Sequence, residues 1–273
     1  NELQQNIVFL PAHPAIVRGV GRLLWGKGSV PSHILAGTLV SLAAFLGALI
    51  YRYGLARDTV DDEQARYAQW LLAAYPFAYF FSAVYTESLF LLGATGAFYH
   101  FTKGHFGRAA VWGLLVGLTR HVGCFISVPL ALLAVTPWLP RRLAGGPPRP
   151  ALASHSIGKA LAAASMPGVG MLIYSAYIWR LTGDPFAWVI GHGAWGRTYN
   201  GLAALVTDRY DFISRAGVLG YVSALPHDLL NALGVVFVLA AAWPVARRLG
   251  LAYAVFILIN MLPPLAAGGL VSA

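Results

Sequence analysis

The apolar residues of this chain gather in long blocks that carry no charge. Eight blocks stand out, at 34–51, 67–83, 88–101, 109–119, 122–138, 160–179, 229–245 and 251–267. A helix that crosses a bilayer needs about 20 such residues, somewhat fewer at the short end. Three of the eight are short or marginal. The block 109–119 is the weakest, and it could instead join 122–138 as one long broken helix. The pattern predicts an all-α polytopic membrane protein, with about eight membrane helices, some short, plus interfacial helices. The whole chain 1–273 reads as a single transmembrane domain.

The polar positions between the blocks orient them. Short loops rich in Lys and Arg stay in the cytoplasm. Arg141, Arg142, Arg149 and Lys159 mark the most basic loop, and Arg247 and Arg248 mark another. Residues 103–108 and 52–66 are a third and fourth, although the last also holds Asp58, Asp61, Asp62 and Glu63. All four fall on one side only if 109–119 and 122–138 form a hairpin with Arg120 and His121 at its tip. The opposite face then collects residues 1–32, 82–87, 120–121, 182–228 and 268–273. Within 182–228, residues 211–225 mix aromatic, apolar and charged side chains, as an interfacial helix does. Asp228 is the expected N-cap of the next span. In the segment 1–33, Val17, Val20, Leu23 and Leu24 share one helical face and Arg18 and Arg22 another, which predicts a surface helix.

Composition agrees with this picture. The chain is 58% hydrophobic and 11% charged, with mean hydropathy +0.65, against about 25% charged residues in an ordinary globular domain. The net charge of +9 belongs to short loops, so it reads as topology signal and lipid-headgroup contact rather than nucleic-acid binding. The single cysteine, Cys124, makes no intrachain disulfide, and its apolar setting fits a small packed side chain. The polar start 1–6 does not resemble a signal peptide. Both ends look like breaks in a longer protein.

The polar residues inside apolar surroundings are the candidate chemistry. A carboxylate at membrane depth costs about 2.5–3.5 kcal/mol on insertion scales, and Glu87 interrupts the strongly apolar run 75–92. It fits a helix-start carboxylate at the headgroup level, or one wall of a polar site with Tyr85, Thr86 and Ser88. Arg120 and His121 fit a cationic grip on a phosphate, or a side chain reaching to lipid headgroups. Asp184, before Pro185, initiates a turn, and Trp188 and Trp195 resemble interface anchors, with Arg197 nearby. Gln5, Asn6 and His13 precede the surface helix. His13, flanked by prolines, fits a structural residue, a ligand or a base. No phosphate loop, dinucleotide fingerprint, Ser-His-Asp order or zinc motif occurs. No cofactor is assigned, and a divalent metal is left open.

Four stretches together resemble the PIG-V-like mannosyltransferase family: the second mannosyltransferase of glycosylphosphatidylinositol-anchor synthesis and its prokaryotic relatives. They are Gln5 and Asn6 with Phe9, Leu10, Pro11 and Pro14; Tyr75 and Pro76 with the run 80–90; Gly117 to Gly123 around Arg120; and Thr182 to Pro185 with Trp195 to Arg197. The resemblance implies a GT-C glycosyltransferase. Such an enzyme moves a sugar, mannose first, from a polyprenyl-phosphate carrier to a lipid-linked acceptor on the extracytoplasmic face. It implies Tyr85, Thr86, Glu87, Ser88, Arg120, His121, Asp184, Trp195, Arg197, Gln5, Asn6 and His13 as substrate-binding residues. It also implies an acidic residue upstream of Asn1 as the catalytic base, with Glu87 a weaker candidate for it, so that the fragment is inactive by itself. The loop at 182–185 resembles the prokaryotic branch and favours a bacterial plasma membrane over the endoplasmic reticulum. A non-catalytic scaffold or a lipid or solute transporter is the alternative, although no internal duplication is seen.

Overall fold

The computed structural model describes residues 6–26, 29–140, 144–147, 152, 156–195 and 201–266. Every regular element among them is helical. In order they are α1 (Ala12–Trp25), α2 (Val30–Arg57), α3 (Asp62–Ala73), α4 (Glu87–Thr102), α5 (Phe106–Gly117), α6 (Ser127–Val135), α7 (Ile157–Thr182), α8 (Ala187–Gly191), α9 (Gly201–Ala224), α10 (Pro226–Arg248) and α11 (Leu251–Ala266). Short 3₁₀ turns cover Asn6–Val8, Ala78–Phe81, His121–Ile126, Thr136–Trp138 and His192–Trp195.

Four stretches among the described residues are long and apolar enough to cross a membrane: Val30–Arg57, His121–Trp138, Ile157–Thr182 and Pro226–Arg248. The chain is a helical membrane protein. These four correspond to the predicted blocks 34–51, 122–138, 160–179 and 229–245. The other predicted spans are shorter. α4 and α11 have 16 residues each and α5 has 12. At 1.5 Å per residue these reach about 24 Å and about 18 Å, against a hydrocarbon core of about 30 Å.

The block 67–83 is not one helix. α3 starts well: Asp61 accepts a hydrogen bond from the Gln64 amide at 2.7 Å, and Asp62 and Glu63 lie in the first turn. It stops at Ala73, before Pro76. Proline disfavours helical geometry in the residue before it and lacks the N–H that a continuing helix would need. The chain then bends into the 3₁₀ turn Ala78–Phe81 and starts again at Glu87. The acidic residues of 52–66 are matched locally. Lys103 meets Asp58 at 2.8 Å, Arg57 and Arg66 flank Asp62 at 3.3 and 3.4 Å, and Tyr53 donates to Asp62.

The main core lies between α4, α5, α6, α7 and α11. Phe98, Phe101, Ile126, Leu130, Leu133 and Ala163 are among its buried members. Without a hydrophobic force between helices in lipid, close backbone approach does much of the holding. At the tightest point, a Cβ added to Gly117 would overlap the Pro167 carbonyl oxygen on α7. Only glycine lets α5 approach so near.

α1 is the predicted surface helix, but its packed face is rotated. His13, Val17 and Gly21 are its buried residues. Val17 packs with Ala36 and Val40 of α2, with Val20 alongside. Leu23 and Leu24 are uncovered by protein, at 84% and 53% exposure. The loop 182–228 is largely helical, and its long helix begins at Gly201 rather than at 211. Gly217 breaks that helix with φ 71° and ψ 168°, a backbone setting that favours glycine. Asp228 is not the N-cap of α10. Leu225 holds that position, and Asp228 sits inside the first turn, 2% exposed. There it accepts a hydrogen bond from Arg209 at 2.6 Å and another from Tyr221. Both donors come from α9, one on each side of the Gly217 break.

Candidate functional site

Four separate segments meet at the end of α5. Leu10 forms a small buried cluster with Met171, Tyr174 and Ile178 of α7, and Ile7, Leu118, Cys124, Ala187 and Trp188 pack around it. The Tyr174 hydroxyl donates to the Ile7 carbonyl at 2.5 Å and lies 3.3 Å from that of Phe9. The Ala12 amide donates to the Leu118 carbonyl at 3.1 Å. The start of α1 is thereby pinned two residues from Arg120.

Arg120 stands between two helical segments in extended geometry, φ −144° and ψ 149°. Its carbonyl accepts from the Gly123 amide at 2.9 Å. A Cβ on Gly123 would overlap the Val116 carbonyl oxygen, so the 3₁₀ turn after Arg120 lies directly on the last turn of α5. The reversal turns the guanidinium toward α4. There Arg120 donates through Nη1 to Glu87 Oε1, with the two side chains 34% and 31% exposed. The guanidinium carbon also lies 5.9 Å from the centre of the Phe90 ring, within reach of a cation–π attraction. Glu87 is the first residue of α4, where its charge also suits the helix dipole. Its second oxygen, Oε2, is buried and has no hydrogen-bond partner among the described residues.

His13 belongs to the same group. It is 6% exposed, and its Nε2 also lacks a partner among the described residues. Burial holds the imidazole below its ordinary pKa, and the nearby charge of Glu87 opposes that shift. Neutral imidazole is therefore the favoured form.

The other predicted residues divide. His121 stacks on Trp188, with ring centres 4.4 Å apart and planes 19° from parallel, and meets the edge of His192 at 4.8 Å. Trp188 Nε1 donates to Ser175 Oγ at 3.2 Å. Ser88 is buried and donates to the Phe81 carbonyl at 2.6 Å, closing the bend before α4. Thr86 occupies the N-cap position without a side-chain cap bond. Tyr85 is half exposed, edge-on to Phe80. Asp184 holds its own turn together. Its Oδ1 accepts from the Phe186 amide at 2.8 Å, and Thr182 Oγ1 donates to its carbonyl at 3.0 Å. Asn6 begins the first 3₁₀ turn. Gln5 and Arg197 lie outside the described residues, as does the side chain of Trp195.

Tyr174, Ser175 and His192 complete this end of the bundle without having been singled out by pattern. For His192 a signal existed, since it falls four residues after Trp188 and so shares its helical face. Tyr174 and Ser175 sit inside an apolar block and gave none. Among the described residues, no three His, Cys, Asp or Glu side chains gather as a metal site. No family model matches the chain, and neither does any curated protein or solved structure.

Proposed function

We propose that this chain is part of a membrane glycosyltransferase of the PIG-V-like GT-C kind. It moves a sugar, mannose first, from a polyprenyl-phosphate donor to a lipid-linked acceptor on the extracytoplasmic face of a bacterial plasma membrane. The observation that carries this reading is the pairing of Glu87 with Arg120, under the N-terminal segment and beside His121 and Trp188. Glu87, Arg120, His121 and the N-terminal segment lie in stretches on which the family resemblance rests; Trp188 lies outside them.

The chemistry asked of these residues is modest. A base takes the proton of an acceptor hydroxyl, whose oxygen forms a bond to the anomeric carbon. The bond from that carbon to the phosphate oxygen breaks on the opposite side. Prenyl phosphate departs with its electron pair, and the protein has mainly to hold that charge. Arg120 is the assigned holder, with Arg197 second. A guanidinium has five N–H donors, and the Glu87 contact engages Nη1 alone. Glu87, held by Arg120, orients that fork and is the second choice for the base.

The test uses the full-length protein in liposomes with radiolabelled polyprenyl-phosphate sugars. Transfer of label to a lipid acceptor is expected, and Arg120→Ala is expected to abolish it and to weaken donor binding. If no polyprenyl-phosphate hexose or pentose serves as donor, the reading is wrong. If Arg120→Ala keeps normal transfer and donor affinity, the phosphate role is wrong.

A further inference from the structure

The hairpin of α3 and α4 turns back inside the membrane. α3 rises beside the end of α2, where Tyr53 donates to Asp62 and Arg52 Nη1 donates to the Ala68 carbonyl at 2.7 Å. It has 12 residues, about 18 Å of helix, and stops at Ala73. α4 runs back parallel to α2, with Leu92 against Gly47 and Tyr99 against Gly54. Between them lies the irregular tip, residues 74–86. Val84 of the tip lies against Gly37, and the Phe81 ring stacks on Phe45 with centres 4.7 Å apart and planes 4° from parallel. α2 has 28 residues, about 42 Å of helix, and Phe45 lies about 22 Å from its start. Wherever along α2 a hydrocarbon core of about 30 Å begins, a helix that crosses all of it holds Phe45 inside. The turn Ala78–Phe81 is therefore at membrane depth.

The backbone of the tip is only partly bonded. The amides of Ala78, Phe80, Ser82 and Ala83 find carbonyls within it. Those of Tyr75, Phe77, Tyr79, Val84 and Thr86 donate to no acceptor among the described residues. Tyr75, Tyr79 and Tyr85 are each more than half exposed, so no described element covers this face. Irregular backbone persists at such depth only where protein buries it or where it lines a water-filled cavity. A second observation agrees. Glu87, the next residue after the tip, and Arg120 are each about a third exposed, and charges within a span face the bundle interior or water.

We propose that residues 74–86 line a water-filled cleft that descends from the extracytoplasmic side to the Glu87–Arg120 pair. The tip faces the start of α2, the end opposite Arg52, Arg57 and the basic loops, which gives the direction of opening. Unpaired amides are donors, so the cleft suits a ligand rich in acceptor oxygens, a phosphate or a polyol. The proposal goes beyond the glycosyltransferase reading and does not need it.

The experiment uses the full-length protein in sealed membrane vesicles of known orientation, with native cysteines replaced (Cys124→Ala in this region). A charged, membrane-impermeant thiol reagent is added from one side, and rates are normalised to the unfolded protein. Leu46→Cys is the reference, because Leu46 is exposed on regular helix beside Phe45. Ser82→Cys and Tyr79→Cys are expected to react from the extracytoplasmic side about tenfold faster or more, since only thiolate reacts and a thiol in hydrocarbon does not ionise. If Tyr79→Cys does not fold, Ser82→Cys carries the same comparison. Rates equal to that of Leu46→Cys overturn the proposal and place the tip under lipid or a further protein segment. Faster labelling from the cytoplasmic side overturns it too. A protein that labels as expected but binds no polyprenyl phosphate sinks the sugar-transfer reading and leaves the cleft standing.

Discussion

Replacing Asp228 with Asn tests whether the buried contact between α9 and α10 carries the stability that its geometry implies. The carboxylate is 2% exposed, and its partner Arg209 is 20% exposed. Asparagine keeps the shape and loses the charge, which takes from Arg209 the carboxylate that faces it in a nearly dry setting. Breaking a buried pair from one side costs about 3–5 kcal/mol. The partial exposure of Arg209 favours the lower end, so about 3 kcal/mol is expected. For a chain of this size, 1 kcal/mol moves Tm by about 2–4 °C, giving a fall of about 6–12 °C in one fixed detergent. Tyr221 and Arg209 flank the Gly217 break, so the variant should also open α9 to limited proteolysis there. The double variant Asp228→Leu with Arg209→Met removes both charges together but leaves the buried Tyr221 hydroxyl without its acceptor, so it should recover only part of the loss. A single variant that melts with wild type, or a double variant worse than either single one, would refute the reasoning.

Two further outcomes follow from particular contacts. Gly117→Ala sets a methyl group against the Pro167 carbonyl, so α5 must move off α7. A loss of about 1–3 kcal/mol should appear as a lower Tm, and a silent substitution would show that the two helices are not in close register. Stability should also depend on pH through His13, whose pKa lies below the ordinary value of about 6.5 because of burial. As pH falls, the unfolded chain takes up that proton first, so the contribution is complete above about pH 6.5 and is lost on acidification below it. Tm measured from about pH 8 to about pH 5 should fall more steeply for wild type than for His13→Gln, and parallel curves would refute it.

The long helices were legible because uninterrupted apolar length is itself the signal. Blocks 34–51, 122–138, 160–179 and 229–245 each lie within a stretch long enough to span. The block 67–83 misled for a physical reason: hydropathy does not register the N–H missing from Pro76. The site was legible only residue by residue. Glu87 and Arg120 each stood out as a charge in an apolar setting, but their pairing spans 33 positions and depends on the reversal at Gly123. Asp228 looked like a cap because its partners, Arg209 and Tyr221, are supplied by tertiary folding of a helix whose break is set by Gly217. The rotated face of α1 has a similar cause. Its packing is set by what α2 offers at Ala36 and Val40, which periodicity alone does not reveal.

The seam between Gly117 and Pro167 also works as a depth gauge. α7 has 26 residues, about 39 Å of helix. Pro167 lies about 15 Å from its start, and Tyr174, which holds the N-terminal segment, about 26 Å. The turn at Arg120 begins three residues beyond this seam, so it is fixed near the middle of α7 and not at its end. With both side chains about a third exposed, salt should weaken the Glu87–Arg120 contact less than it weakens fully exposed surface pairs.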